Sequence, residues 1–140
     1  MWLVFALLSA VMAALVAVFG KIGLKNIDSN TATAIRSVIM AVFLIIVVLV
    51  QGKFNQISTI FANRKAITFI VLSGLAGAMS WLFYFLALKL GDVSKVAPID
   101  KLSVVIAVIL SVIFLGDKLT TATVIGVALI TAGALVIALA

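Results

Sequence analysis

The sequence predicts an all-α, polytopic membrane protein with five transmembrane helices. Hydrophobic side chains make up 66% of the 140 residues and the mean hydropathy is +1.48, well above the half or so of apolar residues in a soluble domain. The apolar residues gather into five long runs, 2–20, 31–50, 66–88, 96–115 and 120–140, each close to the ~20 residues that cross a hydrocarbon core. None of the runs shows the apolar–polar alternation of a membrane barrel strand. Lipid offers the backbone no hydrogen-bond partner, so helices are the form that remains. No linker divides the chain, which reads as a single domain over 1–140.

The first run lacks a basic n-region and is longer than the core of a signal peptide, so it is expected to be a span, with Met1 at or near the mature N-terminus. Asp28-Ser29-Asn30 then precedes T-A-T-A, the composition of an N-cap for the second helix. The longest connection, 51–65, carries Phe54, Ile57 and Phe61 at helical spacing, which predicts a short stretch lying in the membrane interface. Gly91-Asp92 and Gly116-Asp117-Lys118 are turn signals. Links this short make neighbouring helices antiparallel. Small residues recur as Ala6, Ala10 and Ala14, as Gly74, Gly77 and Ser80, and as Ala122, Gly126 and Gly133. They fit either packing within one chain or a seam between two copies.

An odd number of spans puts the two termini on opposite sides of the membrane. With the N-terminal side called A, that side receives Lys53, Arg64, Lys65 and Lys118, and side B receives Lys21, Lys25, Lys89 and Lys95. Four basic residues against four give the positive-inside rule nothing to act on, which permits insertion in both orientations. Counting Arg36 and Lys101 towards side B makes the balance six against four. The net charge of +6 is spread over these breaks, so the basic residues read as interface anchors and not as a nucleic-acid surface.

The absence of Cys and His removes disulfides, thiolate or imidazole metal sites and any Cys-His or Ser-His nucleophile pair. All four acids are Asp, so a hydrolytic dyad would need two subunits. The expected protein is not an enzyme and uses no metal or cofactor.

The chemistry concentrates in 89–101, K-L-G-D-V-S-K-V-A-P-I-D-K, which carries Pro98, Asp100 and Lys101 into the fourth span. An unpaired charge near the bilayer centre costs about 2.5 to 3.5 kcal/mol, so charge in a span is a functional signal. Arg36 in the second span and Asp100 in the fourth each lie about six residues in from side B, roughly 9 Å along their axes. Equal depth is the condition for an Arg36–Asp100 ion pair. Lys101, adjacent to Asp100, points about 100° away on a regular helix, so one acid between two bases leaves a net positive site suited to an anionic or zwitterionic solute. The plainer reading is a structural Arg36–Asp100 clasp with Lys101 snorkelling to side B. Trp81 and Tyr84, three apart on the third span, face one way in the same half of the membrane. They suit either solute contact or an interfacial belt, as Trp2 does. Pro98 is either a tolerated first-turn residue or, if the helix begins near Ser94, a helix break.

Three segments carry a family resemblance. They are K-I-G-L-K-N-I-D-S-N-T-A-T-A-I-R over 21–36, W-L-F-Y-F-L-A-L-K-L-G-D-V-S-K-V-A-P-I-D-K-L-S-V-V over 81–105, and F-L-G-D-K-L-T over 114–120. In this order they resemble the short five-span EamA-type transporters of the drug/metabolite transporter superfamily. Asp117 stands where relatives commonly show Glu. The resemblance implies half of an inverted-repeat transporter fold that pairs with a second copy as an antiparallel homodimer. It also implies alternating access with a small-molecule solute between the halves, and a place in the inner membrane of a prokaryote. The small multidrug-resistance branch of the superfamily uses a Glu in its first span, and this chain has no Glu. On this reading Arg36 and Lys101 orient a polar metabolite, Trp81 and Tyr84 touch its body, and Asp100 holds the cationic groups. A non-transporting membrane scaffold or assembly subunit is the alternative.

Overall fold

The computed structural model describes residues 1–140 and contains no β-strand. Its helices are α1 (Trp2–Gly23), α2 (Ser29–Val50), α3 (Gln56–Ala62), α4 (Arg64–Leu90), α5 (Val93–Asp100), α6 (Leu102–Leu110) and α7 (Thr121–Leu139). A single π-helical stretch, Ser111–Leu115, continues α6. Five spans result, because α5, α6 and the π-helical stretch form one 23-residue apolar helix, Val93–Leu115. The shortest span, α7, has 19 residues, or about 28 Å at 1.5 Å per residue, just enough for a hydrocarbon core ~30 Å thick.

The ends of these helices show why the boundaries fall where they do. Asp28 caps α2: its Oδ2 accepts from the Thr31 backbone N–H at 2.8 Å and from the Thr31 hydroxyl at 3.0 Å. The helix therefore starts at Ser29, two residues ahead of the apolar run. At its other end Gly52, with φ 65, takes the left-handed conformation. Gly52 N–H then reaches Leu49 O at 3.0 Å and Lys53 N–H reaches Val48 O at 3.1 Å, the paired bonds of a Schellman cap. Gly116, with φ 72, closes the π-helical stretch, and the Thr120 hydroxyl accepts from Thr123 N–H at 3.1 Å to start α7. Hydroxyls inside the spans bond to carbonyls of the preceding turn, as Thr33 does to Ser29 and Thr131 to Val127.

The expected interfacial stretch is α3, with Ile57 and Phe61 one turn apart and both exposed. Phe54 lies in the turn before it.

The chain divides into two compact units, Met1–Phe19 with Leu90–Ala140, and Gly20–Lys89. In the first, α5 and α6 both pack on α7, and Ala17 and Ala134 are buried. In the second, the buried residues are Leu24, Phe85 and Leu88 with Ser29 and Thr33. Most other apolar side chains in the spans face outward, as a surface solvated by lipid or by another subunit requires. A Cβ placed on Gly74, Gly77, Gly126 or Gly133 would meet nothing within 4 Å. Within their own units these glycines face open space.

Gly20 is different, since a Cβ there would overlap the Phe85 ring. Overpacking of this kind costs about 1–3 kcal/mol. Gly20→Val is therefore expected to lower the thermal unfolding midpoint in detergent micelles, and Phe85→Ala in the same chain is expected to recover part of the loss.

The Asp28 cap makes stability depend on pH. The Thr31 backbone N–H, then its hydroxyl, hold the Asp28 carboxyl below its ordinary value of 3.8. A depressed folded-state value means that the contribution is complete above the unfolded-state value and is lost as pH falls through the folded one. Acid titration of unfolding should show this loss at pH below about 4. Asp28→Asn, which still caps, should not show it.

Candidate functional site

Two charged clusters occur in the spans, one in each unit. The first is built on α2 and α4. Arg36 lies two turns into α2, and Trp81 and Phe85, four apart on α4, share a helix face. The guanidinium carbon of Arg36 is 3.4 Å from the centroid of Phe85 and 4.4 Å from that of Trp81. The two rings are stacked, 5.5 Å apart and 10° from parallel, and Tyr84 meets Phe85 edge-on at 5.4 Å and 86°. Three aromatic rings thus form a shelf under the cation.

The shelf is fixed from behind. Phe85 is fully buried and fills the space left by Gly20 of α1. One turn on, the Lys21 ammonium donates to the Leu88 carbonyl at 2.7 Å. This bond joins the end of α1 to the end of α4 and places both on the same side, as five-span threading requires. It also satisfies a carbonyl in the last turn of α4 with a cation, which the helix dipole favours.

Aromatic faces stabilise Arg36 without forming hydrogen bonds to it. Its Nε and Nη2 are buried and have no hydrogen-bond partner. A cation held on ring quadrupoles gains about 0.5–2 kcal/mol, while a buried donor left unmade costs a similar amount. The arrangement orients a fork of N–H donors and leaves some of them for an acceptor. It suits a carboxylate, phosphate or other oxyanion better than a cation.

The second cluster sits at the break between α5 and α6. Asp92, with extended backbone, starts α5, so Pro98 lies inside the helix and not in its first turn. Pro98 has no N–H to offer Ser94, and the chain tightens around it: Lys101 N–H bonds to Pro98 O at 3.1 Å and Val104 N–H to Lys101 O at 3.0 Å. Lys101 both ends α5 and precedes α6. At this break the neighbouring charges meet, with Lys101 Nζ 3.4 Å from Asp100 Oδ2. A regular helix would keep them apart. The partner of Asp100 is therefore Lys101, whereas Arg36 lies on Phe85 and Trp81. Arg36 belongs to the unit Gly20–Lys89 and Asp100 to the other unit, and each charge has a neighbour within its own unit. Both members of the Asp100–Lys101 pair keep exposed side chains, at 35% and 55%.

Phe85 and Gly20 were not singled out from the sequence. Phe85 is hidden in W-L-F-Y-F-L, where every residue is apolar or aromatic, and its spacing of four from Trp81 was the signal available. No group of three or more His, Cys, Asp or Glu residues stands together as metal ligands would.

Five apolar spans with charge built into two of them define a multi-pass integral membrane protein. The chain belongs to the EamA-like transporter family, whose sequence profile matches residues 1–139. A protein from Sinorhizobium sp., described as an uncharacterized transporter in the cobO 3' region, is 48% identical over 137 residues, which is 98% of this chain and 96% of that protein. An uncharacterized protein of Methanocaldococcus jannaschii is 28% identical over 101 residues, covering 72% of this chain and 71% of its own length. No solved structure matches the chain.

The aromatic shelf is testable by a double-mutant cycle. Arg36→Gln and Phe85→Leu should each destabilise the protein, and together they should cost less than their sum by about 0.5–2 kcal/mol. Unfolding followed by Trp81 fluorescence in a Trp2→Phe background measures this coupling.

Proposed function

We propose that the protein is a secondary transporter that moves a small polar metabolite or drug-like solute by alternating access, and that it works as an antiparallel homodimer in the inner membrane of a prokaryote. The observation that carries this reading is Arg36, a cation held inside a span on aromatic faces with donors unused. A structural clasp would use those donors, whereas a binding residue keeps them for its ligand. Arg36 and Lys101 attract and orient the solute, Trp81 and Tyr84 contact its body, and Asp100 exchanges its bond to Lys101 for one to the solute. The break at Pro98 gives this wall of the site the irregular backbone that transporters place around a cavity.

Three features support a second copy. Loop charge is balanced, so neither orientation is favoured. The glycine faces of α4 and α7 stand open, and small residues at such faces let helices of two subunits approach closely. Apolar surface is exposed along all five spans and offers a second copy faces to pack against.

Solute flux in proteoliposomes tests the site. Asp100→Asn and Lys101→Ala should each reduce flux at least tenfold, and Arg36→Gln should abolish it while the protein stays folded. Undiminished transport by all three removes the assignment. Orientation tests the dimer: a single Cys introduced as Asp117→Cys should be labelled by an impermeant thiol reagent from both faces of sealed vesicles. Labelling from one face only would leave the antiparallel homodimer without support.

A further inference from the structure

Away from Arg36, the end of α1, the turn that follows it and the last turn of α4 form an open cleft of about 640 Å³, lined by Lys21, Ile22, Leu24, Lys25, Asn26 and Lys89. We propose that this cleft is a binding site for a phosphate-bearing head group, held by the ammonium groups of Lys21, Lys25 and Lys89. The proposal goes beyond solute transport and does not depend on it.

The lining carries three lysines and no acid. Lys21 is not a mobile surface charge, because its Nζ is anchored on the Leu88 carbonyl at 2.7 Å. Its position is therefore set by α4, whose last turn also carries Lys89. The side chains of Lys25 and Lys89 are exposed and make no ion pair or hydrogen bond. The acids closest in sequence are Asp28 and Asp92, each three residues from a lining lysine. Asp92 stands at the start of α5, and Asp28 Oδ2 is engaged by the Thr31 N–H and hydroxyl, with Lys89 acting on it only through space. Asn26, with φ 70, turns the backbone sharply just after Lys25, a conformation that Asn tolerates better than other non-glycine residues.

Helix-end lysines commonly serve as interface anchors or dipole partners, and Lys21 already does so through Leu88. That role gives no reason for three cations around one cavity. Three ammonium groups match an anion with several acceptor oxygens and more than one direction of approach, which a phosphate offers and a single carboxylate does not. The apolar part of the lining adds a second preference. Leu24 is buried at 4% exposure, while Ile22 stands 68% exposed beside the lysines. Cationic and apolar groups side by side at the end of a span fit an amphiphile whose phosphate lies at head-group depth. The same phosphate chemistry is present in anionic phospholipids and in free inorganic phosphate.

The test uses the full chain in a neutral detergent, with thermal unfolding read by tryptophan fluorescence during titration with phosphatidylglycerol, phosphatidylcholine or inorganic phosphate at constant ionic strength. Phosphatidylglycerol is expected to raise the midpoint where phosphatidylcholine does not. The double variant Lys25→Gln/Lys89→Gln should weaken the apparent affinity at least fivefold. Lys53→Gln/Lys118→Gln, an equal charge loss on the other side, should leave it unchanged, and Lys25→Arg/Lys89→Arg should retain it. A shift by inorganic phosphate with the same dependence on Lys25 and Lys89 supports the site with a soluble ligand. A response to phosphatidylglycerol alone supports it with a lipid ligand. Equal responses in the two Gln double variants, loss of the response in the Arg double variant, or no response to either phosphate source would overturn the proposal.

Discussion

Inside a hydrocarbon layer no solvent competes for the backbone, and each helix must satisfy its own N–H and C=O groups. That constraint accounts for the architecture more fully than any side-chain contact does. The interiors of the five spans meet it automatically, and the ends meet it by local devices: Asp28 and Thr120 as N-caps, the Gly52 Schellman turn, the Gly116 left-handed turn, and the Lys21 ammonium on Leu88 O. Hydroxyls within the spans fold back on their own helices for the same reason. Where the rule is broken, at Pro98, the helix divides and the two charges beside the break are brought together.

The same medium explains why Arg36 lies where it does. A guanidinium in low dielectric needs either an opposite charge or a polarisable surface. The aromatic shelf supplies the second, and Gly20 is the opening that lets Phe85 lie deep enough to form it. An ionic partner would neutralise the cation and occupy its donors. Ring faces steady it while leaving its positive field intact, and this is the physical difference between a clasp and a recognition group.

The two sides of the membrane are used differently although their loop charges are equal in number. Lys53, Arg64 and Lys65 flank α3, and Lys118 lies in the turn before α7. On the other side, Lys21, Lys25 and Lys89 converge on one cleft. Equal charge count leaves orientation undetermined, yet the distribution of that charge gives each face a distinct chemistry.

The sequence by itself determined the fold class, the five spans, the cap at Asp28 and the turns at Gly91 and Gly116, because these follow from hydropathy and from residues acting within a few positions of one another. The family was legible for a related reason: its signature residues lie in those caps, breaks and turns. Partner choice was not legible. Equal depth of two charges fixes only their coordinate along the membrane normal. Which helix faces turn towards one another depends on packing, and packing set Arg36 on Phe85 through a space opened by Gly20, a residue that looks unremarkable in an apolar run. The Asp100–Lys101 contact falls where the backbone tightens at the junction of α5 and α6. Local hydrogen bonding and hydropathy can be read along a chain; the rotation of helices about their axes is decided only when side chains compete for the same volume.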